Sequence, residues 1–249
     1  MTQRPQHRVV GASRGIGSVP GNRSVLEVLR RLRALADPKV REGQKRFAIP
    51  TDRSLGIPYP KIQKLAREIG RDHRLTAKLW ASGIHEARHL AAIVEEPEKV
   101  TQAQMERWAR QFESWDIVDG TCRYLFLYTS FAWEKAIGWS RRREEFVKRA
   151  AFALMAYLAV HDKQAADTRF LRLLPIIRRE AADQRNFVKK AVNWALRQIG
   201  KRSLRLNRAA IRAAREIQKI NSPAARWIAA DALRELRSPA VARRLRARR

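Results

Sequence analysis

Residues 185–197 read RNFVKKAVNWALR and contain a short segment that recurs along the chain and indicates its fold class. Its Ala195-Leu196-Arg197 recurs as Ala153-Leu154, 42 residues earlier, and as Ala232-Leu233-Arg234, 37 residues later, each time late in a predicted helix. Two helices and their turns in roughly 40 residues is the period of HEAT and armadillo repeats. Helix pairs of this kind stack into a superhelix with a concave surface. The sequence therefore predicts an all-α fold, a right-handed α-solenoid.

The rest of the chain from Ser24 onward is almost wholly helical in pattern. Ser24 is the predicted N-cap of a helix over 25–36, with Glu27 at the capping-box position. Asp37-Pro38 is predicted to end that helix. No segment shows the alternation of a β-strand. Further helices are predicted at about 58–69, 73–81, 84–94, 101–111, 114–127, 131–139, 142–160, 167–180, 184–199, 204–219, 222–236 and 239–247.

The chain divides into three regions. Residues 1–22 are rich in Gly, Ser, Pro and Arg and predict a disordered basic tail, residues 23–238 the helical-repeat domain, and residues 239–249 a basic C-terminal helix or tail. The GASRGIG stretch at 11–17 matches a dehydrogenase nucleotide loop, which requires a preceding strand and a following helix. Neither is predicted, so we expect no dinucleotide cofactor.

Positive charge dominates the composition. The chain has 53 Lys and Arg against 24 Asp and Glu, a net charge of +29. Such an excess repels itself in a compact chain and indicates a polyanionic partner, with nucleic acid favoured over a merely soluble basic protein. The charge is uneven, because 200–249 hold 15 bases and 3 acids, whereas 82–119 hold 4 bases and 8 acids. Folding could therefore collect the bases on a concave face.

Several protein classes are excluded by composition. The single cysteine, Cys122, excludes an intramolecular disulfide framework and a cysteine zinc site. No apolar run is long enough to span a bilayer, and the N-terminus lacks the apolar core of a secretory signal. We expect a cytoplasmic protein with no membrane partner.

Trp115 and Asp119 form the first candidate site. They are four residues apart and share a helix face, with Ser114 as a possible cap. For such a pair alone, a core tryptophan and an aspartate paired with an arginine is the simpler interpretation. Two other segments favour function. Arg149 falls in an otherwise apolar helix, and Trp194 lies among basic residues.

The helix around Trp194 carries a stripe of mixed character. Lys190, Trp194 and Arg197 are spaced to fall on one helix face. Basic residues interleaved with tryptophan are typical of a surface that contacts the sugar and phosphate of nucleic acid.

A second pattern, His85-Glu86-Ala87-Arg88-His89, formally matches the H-E-x-x-H zinc motif. A zinc hydrolase needs a third ligand, and His161 is the one later histidine. A protease would leave the charge and the tryptophans unexplained. We therefore interpret this segment as helix packing and surface, and predict no metal site.

Together these segments resemble the AlkD-type DNA alkylation repair family, the HEAT-like-repeat alkylpurine DNA glycosylases, from about residue 46 to 236. The resemblance is carried by Arg46-Phe47-Ala48-Ile49, Leu55-Gly56-Ile57-Pro58, Leu79-Trp80, His85-Glu86-Ala87-Arg88, Trp115-Asp116 with Asp119, Arg149-Ala150-Ala151, Asn186-Phe187-Val188-Lys189-Lys190 and Gly200-Lys201-Arg202.

The resemblance implies a monomeric enzyme without cofactor that removes N3- and N7-alkylated purines. It implies a duplex held in a basic concave groove, and no base-binding pocket. Asp119 matches the catalytic aspartate, Trp115 and Trp194 the two tryptophans that pack on the lesion sugar, and Arg149 the neighbouring arginine. The residues implied to contact DNA are Phe47, Arg46, Arg185, Lys189, Lys190, Arg197, Lys201 and Arg202.

The implied chemistry is physically sensible. A cationic purine leaves without protonation, and a carboxylate stabilises the positive sugar that remains. We expect Arg149 to lower the pKa of Asp119 and keep it ionised. Phe47 stands where well-known members have a tyrosine, which keeps the ring and removes the hydroxyl. The alternatives are a non-catalytic member that binds damaged or branched DNA, and a scaffold for an acidic protein or RNA.

Overall fold

The computed structural model describes residues 24–247, so the predicted tail over 1–22 lies outside the described residues. Within that range the chain is helical and contains no β-strand. Short 3₁₀ segments lie at Lys45–Phe47, Pro97–Lys99, Phe126–Tyr128 and Trp139–Arg141. The α-helices are α1 Val25–Ala34, α2 Pro38–Gln44, α3 Tyr59–Ile69, α4 His73–Ala81, α5 His85–Val94, α6 Gln102–Arg110, α7 Trp115–Tyr124, α8 Ala132–Gly138, α9 Glu145–His161, α10 Asp167–Leu171, α11 Leu174–Glu180, α12 Asn186–Gly200, α13 Leu204–Gln218, α14 Pro223–Leu236 and α15 Pro239–Arg246.

The helices stack as the repeat pattern predicts. Helices α3, α5, α7, α9, α12 and α14 form one layer in which each contacts the next, while α4, α8 and α13 pack against it. The repeated Ala-Leu segments lie in α9, α12 and α14, all in that layer, and their alanines are fully buried. The prediction of an all-α solenoid is confirmed. Its hand and its basic concave face stay predictions.

The Asp37-Pro38 pair starts a helix that the sequence analysis missed. Asp37 caps α2, because its Oδ1 accepts the backbone N–H groups of Lys39 at 2.9 Å and Val40 at 3.2 Å. Pro38 occupies the first helical position, where its missing N–H costs nothing. The pair therefore ends one helix and begins the next.

The single helix predicted over 167–180 is also wrong, because the chain forms α10 and α11 instead. Pro175 is the second residue of α11. In a continuous helix its ring would clash with the carbonyl of Leu171, the last residue of α10. The break lies between these two residues.

The C-terminal region folds as a helix as far as the structure describes it. Val241 and Leu245 of α15 are buried, and α15 packs on α14. Of the helices in residues 24–247, none is both long and apolar enough to cross a membrane.

Candidate active site

Helix α7 begins at Trp115 and carries the first candidate residues. Ser114 occupies the N-cap position but makes no cap bond, because its Oγ donates to Asp116 Oδ1 at 2.6 Å. Trp115 Nε1 donates to the Phe47 carbonyl at 2.8 Å. Ala48 follows in the left-handed region, with φ of 55°. The indole thus fixes the short 45–48 turn against the start of α7.

Asp119 and Arg149 form the central ion pair. Arg149 Nε donates to Oδ1 at 3.0 Å and Nη2 to Oδ2 at 2.7 Å. Its Nη1 donates to the Phe187 carbonyl at 2.8 Å, and its guanidinium lies 5.7 Å from the Trp115 ring. The arginine therefore connects α7, α9 and α12, and the prediction that Arg149 lies in a buried helix is confirmed by its 6% exposure.

Two opposing effects, burial and the charge of Arg149, act on the pKa of Asp119. Burial raises the pKa of Asp119, and the guanidinium charge and hydrogen bonds of Arg149 oppose that rise without cancelling it. Arg149 does lower the pKa of Asp119, as expected, but the expectation of a pKa lowered overall is wrong, because desolvation of the carboxylate outweighs the ion pair. A raised pKa makes Asp119 a better proton acceptor than an exposed aspartate.

A cavity of about 650 Å³ lies beside this pair. Its wall is aromatic, with Phe47 at one side and the phenol rings of Tyr59, Tyr124 and Tyr157 around it. Burial raises the pKa of Tyr59 and of Tyr157, so both phenols are neutral at physiological pH. The cavity thus presents flat π faces next to a carboxylate, an arrangement that attracts positive charge.

Trp194 does not line this cavity. Its ring packs edge-on against Tyr157, with 4.9 Å between the centroids, and Tyr157 forms the wall. Sequence analysis missed Tyr157 and Arg123, which also lines the cavity. Arg123 could have been found, because Asp116, Gly120 and Arg123 repeat on α7 the stripe spacing noted on α12.

The residues implied to contact DNA fall into two groups. Phe47 is 64% exposed, and Arg46 and Lys190 are exposed beside the solvent. The ammonium of Lys189 lies 5.2 Å from the centroid of the Trp227 ring. These four remain accessible to a polyanion.

The other group is engaged within the protein. Arg185 pairs with Asp183, and Arg197 and Lys201 both pair with Glu235. Arg202 donates to three backbone carbonyls between residues 159 and 165, and only 11% of its side chain is exposed. Arg185 also donates to the Arg143 carbonyl at 2.6 Å, so all four cations join segments of neighbouring repeats. Their contact with DNA stays a prediction.

The histidines of the H-E-x-x-H pattern are buried, so the helix packing expected of this segment is confirmed and its assignment to the surface is wrong. His85 Nε2 lies 2.8 Å and His89 Nε2 3.3 Å from the same oxygen, Asp116 Oδ2. Both imidazoles are at most 5% exposed. Burial raises the pKa of Asp116, but the hydrogen bonds from the two histidines outweigh it and lower that pKa. Burial lowers the pKa of His85, but its bond to Asp116 raises it overall.

Glu86, between these histidines, faces away from them. Its carboxylate accepts the hydroxyl of Ser54 and the backbone N–H groups of Leu55, Gly56 and Ile57. Gly56 has a φ of 73°, and an added Cβ would lie 2.3 Å from a backbone oxygen. Glu86, near the start of α5, therefore holds the 54–57 loop against that helix.

Comparison with known proteins agrees with this architecture. The sequence model of the family described as "DNA alkylation repair enzyme" matches residues 28–236. A solved structure is similar with a TM-score of 0.72 and 17% identity, over 86% of this chain and 96% of that chain. It is described as "A new family of proteins related to the HEAT-like repeat DNA glycosylases with affinity for branched DNA structures". A search of curated proteins found no match.

Proposed function

The chain belongs to the family of DNA alkylation repair enzymes, and from this premise we propose that it is a DNA glycosylase acting on cationic N3- and N7-alkylpurines in duplex DNA. The observation that carries the proposal is the carboxylate of Asp119. It borders the aromatic cavity, which the ring of Trp115 also lines.

The proposed reaction breaks the bond between the sugar C1′ and the purine nitrogen. The bonding electrons leave with the base, which becomes neutral, so no general acid is needed. The sugar gains the positive charge, which the Asp119 carboxylate and the nearby π face of Trp115 stabilise. Water then adds to C1′ and passes a proton to Asp119, whose raised pKa favours that transfer.

Affinity for the duplex would come from charge rather than from base recognition. A net charge of +29 favours phosphate contacts, which release counterions and carry no sequence information. Exposed Arg46 and Lys190 are the best placed of the residues considered above to make them. We propose that the protein acts as a monomer on duplex DNA.

The test is base release from a duplex that carries one N7-methylguanine, with the unmodified duplex as control. We expect release by the wild type and a fall of about 100-fold or more for Asp119→Asn, the scale seen when one stabilising group is removed from a charged transition state. Duplex affinity should stay within about threefold, because phosphate contacts supply it. Equal loss of binding and release would contradict a catalytic role for Asp119.

A second candidate is a non-catalytic protein that binds branched DNA. Two observations favour it: Arg149 occupies both oxygens of Asp119, and Phe47 lacks the hydroxyl of the tyrosine found in well-known family members. The similar solved structure represents a family with affinity for branched DNA. Tight binding of a four-way junction without release from the N7-methylguanine duplex would favour this candidate over the glycosylase.

A further inference from the structure

His85, His89 and Asp116 form a cluster for which the proposed excision chemistry has no use. We propose that these three side chains bind one divalent transition-metal ion, Zn²⁺ by preference, at the wall of the aromatic cavity. The inference rests on the geometry and burial of these side chains, so it does not depend on the proposed glycosylase activity.

The backbone sets the three donors around one point. His85 and His89 are four residues apart on α5, which places both rings on one helix face. Asp116 enters from the first turn of α7, which packs on α5. One ligand atom from each of the three lies within 4.8 Å of the others. Ligands of a four-coordinate zinc ion lie roughly 3–3.5 Å apart, so a small adjustment brings them into coordination range.

The donor types suit this ion. Two imidazoles and a carboxylate form the protein ligand set of many zinc sites that keep an open position. Imidazole favours zinc and its transition-metal neighbours over Mg²⁺ or Ca²⁺, which prefer oxygen ligands alone. The second oxygen of Asp116 accepts the Ser114 hydroxyl at 2.6 Å, an outer-shell bond of the kind that orients a metal ligand.

The two ring nitrogens of His89 have different surroundings. Its Nε2 lies 3.3 Å from Asp116 Oδ2, whereas its Nδ1 has no hydrogen-bond partner among residues 24–247 and lies against Gly120 of α7. His89 is 5% exposed, and the Tyr59 ring packs edge-on against it. Nε2 is therefore the nitrogen that an ion beside Asp116 would meet.

Gly120 makes room for the histidine. It lies on α7, and a Cβ at this position would lie 2.8 Å from His89 Nδ1. Glycine is less favourable than alanine inside a helix, so close packing against His89 is the physical reason for it here. The imidazole is held against α7, one helical turn from Asp116.

The site differs from that of an H-E-x-x-H hydrolase. In those enzymes the glutamate acts as general base at the metal. Here Glu86 is committed to the 54–57 loop by four hydrogen bonds and is not free to serve that role. The proposal is therefore a metal-binding site, and it assigns no peptidase activity.

The test titrates the full chain, stripped of metal with a chelator, with Co²⁺ and then Zn²⁺. We expect one Co²⁺ per chain with visible d–d absorption, and displacement of that absorption by Zn²⁺. Zn²⁺ should also raise the melting temperature of the wild type. The proposal would be overturned if Co²⁺ did not bind saturably, or if it bound without d–d bands. This test uses the wild-type protein, so it does not depend on the folding of a variant.

Variants locate the ion. His89→Gln and Asp116→Asn should lose Co²⁺ binding. Ser114→Ala should weaken binding about tenfold, because it removes the hydroxyl that orients the Asp116 carboxylate through Oδ1. His73→Gln is the matched control, because His73 also pairs with a carboxylate, Glu95, but belongs to no such cluster among residues 24–247. Circular dichroism verifies that each variant is folded. Unchanged binding in folded His89→Gln would place the ion elsewhere and refute the site.

Discussion

Three carboxylates within one neighbourhood have three different environments. Asp119 faces Arg149 and its pKa is raised by burial, whereas the pKa of Asp116 is lowered by its two histidines despite burial. Burial also opposes ionisation of Glu86, but hydrogen bonds from the 54–57 loop lower its pKa. The identity of a residue thus says little about its charge, because partners about thirty positions away decide it.

The 54–57 loop depends on hydrogen bonds to the Glu86 carboxylate. Glu86→Gln should lower the free energy of unfolding by about 1–3 kcal/mol, because an amide offers one acceptor oxygen where the carboxylate offers two to the loop. Urea unfolding followed by far-ultraviolet circular dichroism measures it. Exposed Glu98→Gln is the control and should stay within about 0.5 kcal/mol. A wild-type value for Glu86→Gln would contradict the loop-organising role.

Trp115, Asp119 and Arg149 could be identified from the sequence, and the structure brings these three together. Asp116 could not be identified as a partner of the histidines, since no local pattern links positions 31 residues apart. The outcome for Asp119 could not be predicted either, because the extent of desolvation depends on packing of the whole site. The spacing of residues in the sequence predicts which side chains share a helix face, but it does not predict how far the Asp119 carboxylate is buried.

Among the helices, Glu106 of α6 connects three neighbours. Its Oε1 accepts Trp139 Nε1 at 2.7 Å and Lys135 Nζ at 3.1 Å, and Arg142 approaches Oε2 at 3.2 Å. Burial raises the pKa of Glu106, but these donors outweigh it and lower that pKa. The carboxylate therefore stabilises the fold only when it is ionised.

A lowered pKa gives this contribution a definite direction with pH. It is fully present above the ordinary value of 4.5 and is lost as the pH falls through the lower value in the folded protein. We expect Glu106→Gln to reduce the free energy of unfolding by about 1–2 kcal/mol at pH 7 and by less at pH 3. Chemical unfolding at several pH values measures it. A difference between variant and wild type that is constant with pH would contradict the ionised contact.

The end of α12 gives a packing prediction. An added Cβ at Gly200 would lie 2.7 Å from Leu236 and 2.9 Å from Ala210. Gly200→Ala should therefore destabilise the protein by about 1–3 kcal/mol through overpacking. Gly138→Ala is the control, because no atom of the described part of the chain lies within 4 Å of its Cβ position and helix propensity should make it neutral or stabilising. Melting temperatures compare the two, and equal shifts would contradict close packing at α12.

Helix existence was predictable, and helix ends were less so. The range 73–81 agrees with α4, whereas α2 was missed and 167–180 was merged. Apolar periodicity reports the buried face of a helix, but Asp37 and Pro175 act through local backbone bonds and sterics that periodicity does not contain. Asp37 and Pro175 therefore mark the helix ends that the apolar pattern did not predict.

For the molecule as a whole, charge is the property that bears on binding. Many bases are already paired within the repeats, so the net charge overstates the number available to DNA. Lys190 is exposed, so we expect its full charge to be available to a DNA phosphate. We expect Lys190→Ala to weaken duplex binding and to reduce the slope of log affinity against log salt by about 1.

Lys219→Ala is the matched control, because Lys219 is exposed but pairs with Glu216 on α13. It should leave the salt slope unchanged. Fluorescence anisotropy with a labelled duplex at several salt concentrations measures both variants. Equal slopes for Lys190→Ala and the wild type would exclude a phosphate contact at that position.

The architecture followed from the sequence because a solenoid is built from contacts between neighbouring repeats, which share a short period. The cavity did not follow, since Tyr59, Tyr124 and Tyr157 come from three helices whose relative rotation no period specifies. The repeat thus determines the stacking of the helices, whereas the chemistry of the cavity wall depends on side chains that do not follow the repeat.

Between α4 and α6, the rings of Trp80 and Trp108 stack almost parallel, with 4.0 Å between centroids and 5° between planes. Two indoles this close exchange excitation energy, so they absorb as a coupled pair and share one optical signature. That signature exists only while the two helices stay in register. The first half of the solenoid therefore carries a built-in reporter, and light alone can follow its assembly without any label.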